Sequence, residues 1–323
     1  RGLLNKAIEL DDTLITAKIL LGSTYGDMGD YDKAMQLFNQ ALIQAESAGD
    51  KSGIGNSLNN IGIICWRKSD YEKALDYFKR SLDIMKELGD KIGIGNSLNN
   101  IGLVYEYKGE YDKALDYYKR SHEIREELGD KSETGASLNN IGIIYGRKSE
   151  YEKTLDYFKR SLEIREEIGD KSGIGGSLNN IGVIYVEKGD YEKALDYYNR
   201  SNNISEELGD KSGIGLSLNN IGYIYSIRGD YENSLDYYNR SHEIRKELGD
   251  KSGIGDSFKN IGLVYHNKGD YGKAVEFLEK SLTIKKEIGT KGLKLPTTVY
   301  LCLAYKHLDK AYDEIEIHKL IKE

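Results

Sequence analysis

The sequence returns to itself every 40 residues. Lys51-Ser52-Gly53-Ile54-Gly55 recurs with small changes at Lys91, Lys131, Lys171, Lys211 and Lys251, and no residue is inserted between copies. The 323 residues read as a partial unit (1–10), seven full units (11–50, 51–90, 91–130, 131–170, 171–210, 211–250 and 251–290) and a degenerate last unit (291–323). A unit this short cannot enclose a core of its own, so it has to stack on its neighbours. Within one unit, Ile54, Leu58, Ile61, Gly62 and Cys65 share one face at the spacing of a helix, which predicts helix A over about 54–68. Tyr71, Ala74, Leu75, Phe78, Leu82, Met85 and Leu88 follow the same rule and predict helix B over about 71–88. Tyr77 and Ile84 widen the apolar stripe of helix B, so that helix needs cover both from its own helix A and from the next unit.

Punctuation supports two helices per unit. Ser69-Asp70, and Gly-Asp, Gly-Glu or Ser-Glu in other copies, places a left-handed stop before an N-cap; Gly and Asp suit those roles better than Ser and Glu. Gly89-Asp90 repeats the device between units. An average chain of this length would carry roughly 16 prolines; this one has a single proline, Pro296, which excludes a proline-punctuated loop protein. Only 39% of residues are apolar while 26 are Tyr, a composition for a thin, extended core in which rings are buried and hydroxyls stay wet. Gly62, mid-helix, costs roughly 1 kcal/mol against Ala. Its return at 102, 142, 182, 222 and 262 predicts that another helix passes too close for a side chain.

Leu58-Asn59-Asn60-Ile61-Gly62-Ile63-Ile64-Cys65, followed by Asp70-Tyr71-Glu72-Lys73-Ala74 and Phe78, resembles the tetratricopeptide repeat. Leu58 stands at the family's Trp position, Cys65 (Tyr105, Tyr145, Tyr185, Tyr225 and Tyr265 in other copies) at its Tyr, and Ala74 and Phe78 at their own. The period of 40 exceeds the family's usual one and the inter-repeat Pro is missing, both consistent with a longer helix B. This long variety is similar to the Leu-Gly-Asn repeats of spindle-orientation adaptors and to sensory arrays fused to bacterial signalling proteins. The resemblance implies an all-α fold, a right-handed superhelical α-solenoid of helix-turn-helix repeats. Leu3, Leu4, Ala7, Ile8 and Leu10 read as helix B of a unit whose helix A is missing, so the natural sequence is expected to continue upstream. Cys302 at the Gly position and a turn shortened between Tyr305 and Ala311 read as a terminal cap.

Most chemistry is excluded. The net charge of −7 is spread over units that mix both signs, so no basic field invites nucleic acid. No stretch of 18 apolar residues spans a membrane. Cys65 and Cys302 are too far apart for a zinc cluster or a disulfide scaffold. Gly-Asp-Lys junctions fail as phosphate loops, because Asp intervenes and a helix precedes. His122, His242, His266, His307 and His318 lack ligand spacing, and the carboxylates lie beside Lys and Arg as on solvated helix faces. Asn199, Asn203 and Asn239 begin sequons inside helix B and read as chance. No catalytic residue, metal or cofactor is expected. A missing leader says little about compartment, and the cytoplasm is the default.

What remains is a surface. Comparing copies, the sixth position (Asn56, Asn96, Ala136, Gly176, Leu216, Asp256), the sixteenth (Trp66, Glu106, Gly146, Val186, Ser226, His266) and the seventeenth (Arg67, Tyr107, Arg147, Glu187, Ile227, Asn267) vary most. With the thirteenth, including Tyr223, they form one stripe of helix A, which in the tetratricopeptide family lines the concave groove. The thirty-second and thirty-fifth positions also vary, read as the outer face of helix B. Between the variable residues runs a ladder of paired amides, Asn59-Asn60 and its copies, with Lys259-Asn260 the exception. A carboxamide can bind both N–H and C=O of an extended backbone; the alternative is that the amides bond neighbouring helices and set repeat geometry. The candidate peptide-binding residues are Asn60, Asn100, Asn140, Asn180, Asn220 and Asn260, with Trp66, Arg67, Tyr107, Arg147 and Tyr223 as selectors. The family's two-carboxylate clamp is not indicated, since only Lys259 fits it. The expected partner is a protein or extended peptide, bound by a scaffold without a reaction of its own. The alternatives are a sensory or regulatory arm of a larger signalling protein, and self-association through unpaired solenoid ends.

Overall fold

The computed structural model describes residues 2–4, 6, 11, 14–289 and 294–309, without the side chains of 294–296. Among the described residues there are helices and turns and no strand. The chain forms two compact units, Arg1–Ile168 and Gly169–Glu323. The first holds α1 (Ile15–Asp27), α2 (Tyr31–Ala48), α3 (Lys51–Arg67), α4 (Tyr71–Leu88), α5 (Lys91–Tyr107), α6 (Tyr111–Glu127), α7 (Lys131–Arg147) and α8 (Tyr151–Ile168). The second holds α9 (Lys171–Glu187), α10 (Tyr191–Leu208), α11 (Lys211–Ile227), α12 (Tyr231–Glu247), α13 (Lys251–Asn267), α14 (Tyr271–Glu287) and α15 (Lys294–His307). Odd-numbered helices correspond to helix A and even-numbered ones to helix B. In the first unit α3 packs on α4 of its own hairpin, on α2 of the preceding one, and along α1 and α5. The same arrangement surrounds α11 in the second. Each unit is therefore a stack of helical hairpins, the all-α solenoid architecture.

Helix A begins a turn earlier than its apolar pattern indicates. The Asp50 carboxylate accepts from the Gly53 N–H at 3.0 Å and Asp170 from the Gly173 N–H at 2.9 Å, so the helix starts at the Lys that follows each cap. That first turn carries no apolar periodicity, which is why the pattern does not see it. At the turn inside a unit, where Asp70 caps helix B, Glu110 makes no side-chain cap bond; its carboxylate goes instead to Lys113 Nζ at 2.6 Å. Ser69 and Ser149 take the left-handed stop at φ 62° and 59°, where Gly109, Gly189, Gly229 and Gly269 stand in other copies.

The mid-helix glycines are a packing requirement. A methyl group at Gly62 would lie 2.6 Å from Phe78 Cε1, and one at Gly182 would lie 2.6 Å from Tyr198 Cε1. The ring of helix B thus rests on the backbone of its own helix A. Around this contact Ile61, Ile64, Ile101, Val104, Ile141 and Ile144 join Ala74, Phe78, Ala114 and Tyr118 in one core of the first unit. Each Ile, Val or Phe among them contributes about 1.5–3 kcal/mol when fully buried. The sequence pattern did not single out the buried serine that ties five of the hairpins: Ser81, Ser121, Ser161, Ser201 and Ser241 donate to the carbonyls of Gly55, Gly95, Gly135, Gly175 and Gly215 at 2.7–2.9 Å.

One expectation is overturned. The thirty-second and thirty-fifth positions are not the outer face of helix B: Leu82, Leu162 and Asn202, and Met85, Arg125, Ser205 and Lys285, are buried. Helix B is covered on two sides, and these residues lie beneath the second cover. The expectations for the partial first unit rest largely on Ala7, Ile8 and Leu10, which lie outside the described residues, as do 290–293 and 310–323 of the terminal cap.

Candidate binding face on the A helices

The paired amides are stitched together. Asn100 Nδ2 donates to Asn59 Oδ1 at 2.9 Å and Asn140 to Asn99 at 3.0 Å in the first unit. Asn220 donates to Asn179 at 2.8 Å and Asn260 to Asn219 at 2.9 Å in the second. The second Asn of one hairpin therefore bonds the first Asn of the hairpin before it. Asn60 donates to its own helix, to the Asn56 carbonyl at 2.8 Å, and accepts from the Ser23 hydroxyl at 3.4 Å. Asn180 is engaged as well. A carboxamide has two N–H donors and a carbonyl oxygen. The inter-hairpin bond uses one donor of Asn100, Asn140, Asn220 or Asn260, each half-buried, and leaves its oxygen and second N–H outside that bond.

Aromatic side chains flank this seam. Trp66 meets Tyr107 edge to face, ring centres 5.3 Å apart, and Tyr107 is 6.2 Å from Tyr71. Tyr107 is 57% exposed, whereas the Trp66 indole N–H is buried without a hydrogen-bond partner. In the second unit Tyr223 is 49% exposed, with Leu216 and Ile227 exposed on the same helix and Val183 on α9.

The charged candidates have other engagements. Arg67 donates to the Gly26 carbonyl at 2.6 Å and pairs with Asp27 at 2.9 Å, so it closes the end of α1. Arg147 is exposed, and its charge acts on Glu106. The Glu106 carboxylate accepts from the Tyr118 hydroxyl at 2.9 Å. Burial raises the Glu106 pKa above the usual carboxylate range, with the Tyr118 bond and Arg147 opposing it. Burial likewise pushes the Tyr118 hydroxyl up, far from ionisation. Lys259, the one residue fitting a carboxylate clamp, sits 3.7 Å from Asp256, which is also 3.1 Å from the buried Lys285. Burial lowers the Lys259 pKa.

Sequence reasoning missed a cleft of ≈ 330 Å³ between α9, α10 and α11. Gly176, Asn179, Asn180, Ser205, Asp210 and Leu216 are among its walls. Its signal was the thirty-fifth position, visible as variable but assigned to solvent. Among the described residues no group of His, Cys, Asp or Glu is placed to hold a metal ion, and no helix is long and apolar enough to cross a membrane.

Stacked hairpins with glycine under the helix B ring and Asp-capped junctions define an α-solenoid of tetratricopeptide type. The chain belongs to the tetratricopeptide repeat family, whose model matches residues 13–87, 93–167, 133–207, 173–247 and 213–287. No curated protein matches it. Among solved structures it is similar to a Signal Transduction ATPase with Numerous Domains with a tetratricopeptide repeat sensor from Pyrococcus horikoshii. That match has 19% identity and a TM-score of 0.71, and covers 99% of this chain and 48% of that one. It is also similar to aspartyl phosphate phosphatase F from Bacillus subtilis (18% identity, 88% of this chain and 74% of that one, TM-score 0.67). The apo form of the quorum sensor NprR from B. thuringiensis matches at 18% identity over 90% of this chain and 81% of that one, TM-score 0.61.

Proposed function

We propose that the A-helix face binds an extended protein segment and that the protein acts as a scaffold without a reaction of its own. The observation that carries this reading is the half-buried amide seam within each unit, bordered by exposed Tyr107 in the first and exposed Tyr223 in the second, on a helix A stripe where the copies differ. Amides fixed by their neighbours are held in place for a guest backbone, which lowers the ordering cost of binding. Large aromatics beside them supply the anchors that dominate most interfaces. A similar solved structure is of a Rap protein complexed with competence and sporulation factor, which is in keeping with a groove that takes a protein segment.

Pull-down followed by crosslinking identifies the segment and the hairpins it contacts. Two double variants then test the seam. Asn59→Ala with Asn99→Ala, and Asn100→Ala with Asn140→Ala, break the same two inter-hairpin bonds, but only the second pair removes the oxygens and N–H groups left for a guest. Two lost hydrogen bonds predict affinity lower by about 5–150-fold for Asn100→Ala with Asn140→Ala. Equal losses from both pairs in calorimetry would refute the seam as a backbone reader.

A second reading is a regulatory arm of a larger signalling protein. The sensor-bearing ATPase with Numerous Domains, matched along 99% of this chain, favours it. The coding sequence on either side of this chain tests that reading: an adjoining catalytic domain supports it.

A further inference from the structure

The thirty-fifth position of each regular unit points into a slot between its own hairpin and the next helix A, and the copies show what that slot holds. Met85 lies against Gly55 and Gly93, Arg125 against Gly95, Arg165 against Gly135, Arg245 against Gly215 and Lys285 against Gly255. Arginine is the commonest occupant, and its head group is recognised specifically. Arg125 pairs with the Glu133 carboxylate at 2.7 Å, and Arg245 donates to the Gly253 carbonyl at 2.8 Å and to Ser257 Oγ at 3.4 Å. Asp130 and Asp250, the caps of the following helix A, add their charge to the two slots.

In one unit the occupant is short: it still reaches Gly213, as Met85 reaches Gly93 and Arg245 reaches Gly253, but it leaves the rest of the slot open. Ser205 replaces the long side chain, no atom of it comes within 4 Å of a methyl built on Gly175, and Gly176 truncates the adjoining wall. The ≈ 330 Å³ cleft is the open part of the slot. Two of its receptors persist: Gly213 and Asp210, the counterparts of Gly253 and Asp250, line it, and the aliphatic wall is Ile204, Leu208 and Leu216. Lys171, also in the lining, directs its ammonium to Glu207 at 2.9 Å. Asn179 and Asn180 of the amide seam form one edge, so a segment lying along the seam passes the mouth of the slot.

We infer that the cleft between α9, α10 and α11 is a specificity pocket that takes an arginine side chain of the bound partner, seated as Arg125 and Arg245 are seated in the intact copies. This deepens the reading of the A-helix face as a peptide-binding surface and rests on it. The guest's methylenes lie on Ile204, Leu208 and Leu216, and its guanidinium donates toward the Gly213 carbonyl and the Asp210 carboxylate.

The probe is Nα-acetyl-arginine methylamide, titrated into the full chain while the side-chain amides of Asn179 and Asn180 and the N–H of Gly213 are followed by NMR. Its citrulline and norleucine analogues are the controls. A charged hydrogen-bonded head group predicts arginine binding about 10–100-fold tighter than citrulline. Ser205→Arg restores the side chain of the sibling copies and is expected to fold with unchanged helicity and to abolish the arginine-specific shifts. Ser205→Met, which supplies the occupant that Met85 is in its own slot, is the second blocking variant should Ser205→Arg fail to fold. Shifts that persist in the blocked variants, or a probe preference for norleucine or citrulline, overturn the proposal. A partner segment captured equally by wild type and Ser205→Arg, with no basic residue at α9–α11, overturns the pocket and leaves the scaffold standing. Arginine-specific shifts that Ser205→Arg abolishes, with no segment captured, support the pocket and count against the scaffold.

Discussion

Replacing Gly142 with Ala asks whether the period-keeping glycines are required by packing. The new methyl would lie 2.6 Å from Phe158 Cδ1 and 2.7 Å from Cε1, with Tyr157 Cβ at 3.3 Å. Carbon atoms pack at about 3.5–4.0 Å, so the ring has to retreat by roughly 1 Å. It is 3% exposed and inside the hairpin, and has nowhere open to go. Overpacking of this kind costs about 1–3 kcal/mol, against a helix-propensity gain of about 1 kcal/mol for Gly→Ala. The expected net loss is about 1 kcal/mol. In a Phe158→Ala background the clash is gone and the same substitution should stabilise, giving a coupling energy of about 1–3 kcal/mol. Urea unfolding followed by far-ultraviolet circular dichroism measures all four corners, compared at matched m-values because stacked repeats unfold with neighbour-dependent cooperativity. A stabilising Gly142→Ala in the wild-type background would refute the close-approach argument.

Glu106→Gln tests the buried carboxyl. Because the folded-state pKa of Glu106 is raised by burial, the folded chain holds its proton to higher pH than the unfolded chain, and stability falls as pH rises through the window between the two values. The glutamine variant does not titrate, so it should melt higher than wild type at neutral pH, with the advantage vanishing under acid conditions below the ordinary carboxylate pKa. A pH-independent difference in melting temperature would exclude the linkage. Arg67→Ala removes the cap on the Gly26 carbonyl and the Asp27 pair. It should cost about 1–2 kcal/mol, seen as faster amide exchange at the end of α1, and Arg67→Lys should fail to restore it, lacking the fork that reaches both acceptors. Unchanged exchange there would show that the contact carries no stability.

What was legible in the sequence is what depends on local geometry. Helical spacing placed both helices of each unit, Gly-Asp placed the junctions, and the return of Gly62 indicated a close approach that Phe78 indeed makes. What was not legible depends on the register of one hairpin against the next. Asn59 bonds Asn100, 41 residues on, and nothing within a single unit distinguishes that bond from an amide open to solvent. Arg67 has the same difficulty: its partners Gly26 and Asp27 belong to the preceding hairpin. Tyr77 and Ile84 disclosed that helix B is covered twice, yet the breadth of that cover, reaching Leu82 and Met85, follows only from the stacked structure.

The copies also separate what the fold demands from what it permits. A buried methionine cut back to a small residue ordinarily costs about 2–5 kcal/mol. Relative to Met85, Arg125 or Lys285, the Ser205 slot forgoes much of that contact, and Gly176 places no side chain at the same wall. Two truncations meeting at one cavity, beside Asn179 and Asn180, leave the hairpin of α9 and α10 short of packing that its siblings possess. A side chain arriving from a partner would make the missing contacts without displacing any of the protein's own, so the pocket we propose would gain its differential contact at this hairpin and not at the others.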